Sequence, residues 1–136
     1  EHPDYRAEHA FFRVLRLPYA GLTHLDRAFL AMAVLVRYNG NPELSYAAPV
    51  LHLLDEDDRR IANAVGLALR LGHTVSGSAP DLIGRTTLKP TQEKLFLGLP
   101  VKDRDVFTGD AVERRLKTLA TALGFSASAF GKTSES

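Results

Sequence analysis

Among the 136 residues there is no cysteine, which excludes disulfides, thiolate nucleophiles and cysteine-ligated metals together and fits a cytoplasmic protein. An excess of one charge is missing as well. Seventeen Lys and Arg face 16 Asp and Glu, so no general affinity for nucleic acid or for a membrane surface follows, and any site for a polyanion has to be local. Long apolar runs are absent too: the longest, Ala28 to Val36, has the length of a core helix and falls short of a membrane span. The chain opens on EHPDYR, without Met or a targeting pattern, and is expected to be part of a longer protein.

Chemistry-bearing motifs are equally scarce. There are five histidines, but no HExxH pair and no two at i and i+4 on one expected helix, so no metal motif forms. His73 stands out because it falls at the end of a helix, where a cationic imidazole is favoured. That same stabilisation serves structure alone in many proteins. No GxSxG, GxxxxGK[ST] or GxGxxG occurs, which leaves neither a nucleophile elbow nor a phosphate cradle. The residues by themselves specify no enzyme.

What is present is helical pattern. Asp4 is placed to cap a helix to about Leu17, with Ala7, Phe11, Val14 and Leu15 on one face and Pro18 after it. Thr23 and Asp26 have the spacing of a capping box ahead of HLDRAFLAMAVLVRYNGNP, whose core is apolar on every side. Pro49 suits the first turn of a short helix. From Asp55 to Ser76 a long helix begins with four acidic residues, Asp55 to Asp58, and repeats apolar residues at Ile61, Val65, Ala68, Leu69, Gly72 and Val75. This helix is expected at the centre of the packing.

The period changes near Gly77. Gly77, Ser78, Pro80 and Gly84 form an expected connector, and RTTLKP and EKLFLGLP have the composition of a strand hairpin. A helix from Asp110 follows, with Val112, Leu116, Leu119 and Leu123 on one stripe and Gly124 at its stop. FSASAF then alternates like a third strand, and GKTSES is small and polar. The expected architecture is therefore mainly α, a helical domain over residues 1–80, with a small α+β appendage over residues 81–130 and a disordered tail over residues 131–136.

Two arginines attract attention as candidate contacts. Arg37 and Arg70 occupy comparable positions near the ends of apolar helices and could line one polar face. The structural alternative, a snorkelling or ion-paired Arg in each case, stays open at this point.

Three segments taken in order, HPDYRAEHAFFRVL, AFLAMAVLVRYNG and RRIANAVGLALRLGHTVSGS, together with ERRLKTLATALGF, resemble the C-terminal region of the exopolyphosphatase and guanosine pentaphosphatase family. In that family a pair of actin-like domains precedes an HD-like helical domain. The resemblance implies an HD-like helical bundle here. It implies a parent enzyme that removes terminal phosphate from inorganic polyphosphate with Mg2+ and a water activated by a carboxylate. Those catalytic groups lie in the actin-like domains, and nothing in this chain matches them. Where many HD-like relatives read RYH and RLAD, this chain has Asn39 after Arg37 and Tyr38, and His73 after Arg70, Leu71 and Gly72. Replacing a carboxylate by imidazole removes charge that a hard divalent cation needs, so no metal site is expected in this chain.

The resemblance thus implies a non-catalytic module that contributes polyphosphate binding or dimerisation and is inactive alone. Its expected partners are inorganic polyphosphate, the upstream actin-like domains and a second copy of the chain, with Arg37, Arg70, Arg6 and His73 as the candidate phosphate contacts. Guanidinium suits bidentate contact with phosphate. The same module of a guanosine pentaphosphatase, and a plain helical protein-interaction domain, are the alternatives.

Overall fold

The computed structural model describes residues 3–18, 20–44, 46–78, 84–99 and 110–132. Among these the chain is mainly α, with five helices and a small three-stranded sheet. By its internal contacts it divides into two compact units, Glu1–Leu69 and Arg70–Ser136.

In the first unit α1 (Pro3–Leu15), α2 (His24–Arg37), α3 (Ala48–Leu51) and the first part of α4 (Glu56–Ser78) surround one apolar cluster. Helix α1 starts one residue before the expected cap, so Asp4 lies inside its first turn, and it ends at Leu15. The carbonyls exposed at that end do not go unanswered. The Arg27 guanidinium, on α2, donates to the Leu17 carbonyl at 2.6 Å and to the Leu15 carbonyl at 3.4 Å. A cation is thereby placed at the negative end of α1, and the two helices are tied together.

Helix α2 begins as its sequence indicates. The Thr23 hydroxyl accepts from the Asp26 N–H at 3.0 Å, and the Asp26 carboxylate accepts from the Thr23 N–H at 3.0 Å, which satisfies two otherwise free donors. Its end is set by Asn39, with φ of 62°. The Gly40 N–H returns to the Leu35 carbonyl at 2.8 Å and the Asn39 N–H to the Val36 carbonyl at 2.9 Å, the paired bonds of a Schellman stop. Asn tolerates the left-handed conformation better than most residues with a side chain. Gly40 is needed for another reason, because a Cβ there would lie against the Leu35 side chain and within 2.8 Å of the Ala7 Cβ.

The element at the centre of this unit is α2, not α4. Ala28, Ala31, Met32, Leu35 and Val36 of α2 pack with Ala7 and Phe11 of α1 and with Leu51, Leu54 and Ala62. Phe11 meets the rings of Phe12 and Tyr46 edge to face, with centroids 5.5 and 5.6 Å apart. Helix α4 turns a different side inward from the one its bulky residues mark. Ile61, Val65 and Leu69 are 45, 39 and 49% exposed, whereas Ala62 is buried and so is Gly66. The cause is close approach. A Cβ at Gly66 would stand 2.5 Å from the Ala33 carbonyl oxygen and 2.6 Å from the Val36 Cβ, so only a small-residue face fits there.

In the second unit the last turns of α4 contribute buried Leu71 and Val75. The helix continues to Ser78, so Gly77 is helical instead of opening a connector. Pro80 lies outside the described residues, and Gly84 and Arg85 form a short turn. Strands β1 (Thr87–Pro90) and β2 (Lys94–Leu99) form an antiparallel hairpin with Leu88 opposite Leu97. At its turn the Thr91 N–H donates to the Lys94 carbonyl at 2.8 Å.

Helix α5 (Asp110–Ala122) then connects to β3 (Ala127–Lys132), which runs parallel to β2 with Leu97 beside Phe130. Gly131 and Lys132 therefore belong to a strand and not to a disordered tail, while residues 133–136 lie outside the described set. Among the described residues of this α+β layer, Val112, Leu116, Leu119 and Ala120 of α5 and Leu95 and Leu97 of β2 are buried hydrophobic residues. Gly124, with φ of 89°, ends α5 as its position in the sequence suggests.

Candidate anion-binding groove

Beside the α1 face that packs Ala7, Phe11 and Val14 into the core runs a series of basic residues. Arg6, His9, Ala10, Arg13 and Val14 follow the i, i+3, i+4, i+7, i+8 spacing of a single helix face. With Val34 and Tyr38 of α2 they line a groove of about 520 Å³. Arg6, His9 and Arg13 are exposed, and no described lining residue is acidic. Arg13 and Arg37 each lie in the last turn of their own helix, where the helix dipole favours a cation.

Tyr38 links the groove to Arg37. Its ring helps to line the groove, and the Arg37 guanidinium lies 4.1 Å from the ring centroid. The ring's electron-rich face attracts the cation and orients it, and Arg37 is half-buried rather than freely solvated. Arg6 and Arg37 are thus brought to neighbouring structure in the first unit. Of the residues at the groove, the sequence analysis names Arg6 as a candidate contact but not His9, Arg13 or Tyr38. The signal that finds His9 and Arg13 is the basic i, i+3, i+7 series that starts at Arg6 on α1; no local signal finds Tyr38.

The other two candidates, Arg70 and His73, belong to the second unit. Arg70 is half-buried on α4, and its carbonyl accepts from the Thr74 hydroxyl at 3.0 Å. That hydroxyl also accepts from the Arg115 guanidinium of α5, which adds a basic residue not singled out from the sequence. His73 is exposed.

The groove has the chemistry of an anion holder: several cations and an aromatic wall. Among the described residues no group of three or more His, Asp or Glu could hold a metal ion. Asn39 serves as the αL stop of α2 and is exposed. Among the described residues no helix is long and apolar enough to cross a membrane.

Residues 1–130 match the family model described as exopolyphosphatase, C-terminal. No curated protein matches the chain significantly.

Proposed function

From the premise that this chain belongs to the exopolyphosphatase C-terminal family, as a C-terminal module of such an enzyme, we propose that it holds inorganic polyphosphate and leaves hydrolysis to other domains. The observation that carries this reading is the gathering of Arg6, His9 and Arg13 on one groove, with Arg37 held against Tyr38 beside it. Separated permanent cations suit a linear polyanion better than one deep pocket does, because each phosphate needs its own counter-charge. Arg70 and His73 supply further contacts from the second unit.

In this reading Mg2+ and the water-activating carboxylate belong to the upstream actin-like domains, which are also protein partners of the module. A second copy of the chain is a further partner. The exposed apolar stripe of Ile61, Val65 and Leu69 on α4 supports contact with another protein surface.

The test is kinetic. Arg37→Ala and Arg70→Ala, made in the parent enzyme, are expected to raise KM for long polyphosphate while kcat holds, the pattern of lost ground-state binding. A fall in kcat at constant KM contradicts a holding role.

A further inference from the structure

We infer that the open edge of β3, beside α5, takes an added strand from a partner protein: an extended segment with a basic residue followed two positions later by an acidic one. The inference concerns the second unit and is independent of the polyphosphate reading. Among the described residues the sheet order is β1, β2, β3, so β3 pairs on one side only. The Ala127 N–H turns to the β2 side, donating to the Glu93 carbonyl at 3.1 Å. Backbone groups alternate in direction along a strand, so those of Ala129 and Gly131 follow it and those of Ser128 and Phe130 point to the open edge. Such an edge is a template for one more strand.

The two edges of the sheet differ. Strand β1 is exposed throughout and carries Lys89 and Pro90, a charge and a residue without an N–H, both of which discourage further pairing. From Ala127 to Gly131, β3 has neither charge nor proline. It has instead a cavity alongside, of about 300 Å³, lined by Glu113, Lys117 and Thr121 of α5 together with Phe125 and Ser128. Ser128 and Phe130 stand in register beside the buried Leu95 and Leu97. Alternate side chains of a strand added to β3 therefore project on this same face, toward the cavity.

Charge complementarity fixes the chemistry of the partner. Glu113, Lys117 and Thr121 follow i, i+4, i+8 spacing along α5, and a helix that joins two parallel strands runs against them. A strand added antiparallel to β3, the more stable pairing, runs in the direction of α5. Glu113 and Lys117 are exposed, about 6 Å apart along the helix axis, and among the described residues no ion pair ties them. Residues two apart on a strand are separated by nearly the same distance, about 7 Å. A basic residue thus meets Glu113 and an acidic one two positions on meets Lys117, whereas the reverse order sets like charges together.

Nuclear magnetic resonance titration of the isotope-labelled chain with two blocked peptides, Thr-Val-Lys-Val-Glu-Val-Thr and the order-reversed Thr-Val-Glu-Val-Lys-Val-Thr, tests this. The first is expected to shift the Ser128 and Phe130 amides and to bind about fivefold more tightly than the second. In the double variant Glu113→Lys, Lys117→Glu that preference should reverse. Ser128→Pro removes one outward donor while sparing the bonds to β2, and should weaken the first peptide by up to about tenfold; circular dichroism checks its fold. The charge-swapped variant decides the matter if Ser128→Pro does not fold. Three results overturn the proposal: neither peptide moves those amides, both bind there equally, or a folded Ser128→Pro binds as the wild type does. A chain that sediments as a dimer with those amides already protected from exchange has a second copy on the edge, which also overturns it.

Discussion

Gly66 and Gly77 both lie in α4, yet replacing each with alanine should have opposite effects. Alanine is the better helix former by up to about 1 kcal/mol, and at Gly77 nothing lies within 4 Å of the new methyl. At Gly66 the methyl meets the Ala33 carbonyl oxygen and Val36, and backbone cannot yield as a flexible side chain does. Urea unfolding should show Gly66→Ala destabilised by about 1–3 kcal/mol and Gly77→Ala unchanged or slightly more stable. Gly66→Ala as stable as the wild type, or more so, would contradict the close approach of α4 to α2. This contact also explains why the stripe Ile61, Val65 and Leu69 misdirects a reading of the sequence. Hydropathy weights bulky residues, while the packing here selects the small ones, Ala62 and Gly66.

At the scale of elements, local signals were legible and non-local ones were not. The Thr23 and Asp26 box fixes the start of α2 through two reciprocal hydrogen bonds within four residues, so spacing alone reveals it. Thr23→Ala should cost about 1 kcal/mol. Because Asp26 acts in the same reciprocal pair, the double change to alanine should cost less than the sum of the single ones in a double-mutant cycle; strict additivity would mean the two bonds are independent. The β1/β2 hairpin was legible for the same reason, being closed by a short turn. The parallel pairing of β3 with β2 was not, since it joins residues separated by α5 and depends on the packing of Val112, Leu116 and Leu119 rather than on any adjacent motif. The groove falls between these cases. Arg6, His9 and Arg13 form a local helical series, but their meeting with Tyr38 requires α1 to lie on α2.

For the whole molecule, membership of the exopolyphosphatase C-terminal family assigns a module, and the described residues supply cations without a metal cluster. Phosphoryl transfer needs positioned charge together with an oriented nucleophile. The chain alone is therefore expected to release no phosphate from polyphosphate or guanosine pentaphosphate in the presence of Mg2+. Sustained Mg2+-dependent release by the purified chain would contradict a non-catalytic role. The central claim, that this module holds polyphosphate through its arginines, is tested most directly by equilibrium binding of long polyphosphate to wild type, Arg37→Ala and Arg70→Ala at low and high salt. The account predicts losses of about 1.5–3 kcal/mol per arginine at low salt that shrink as salt rises; folded variants that retain full affinity would contradict it.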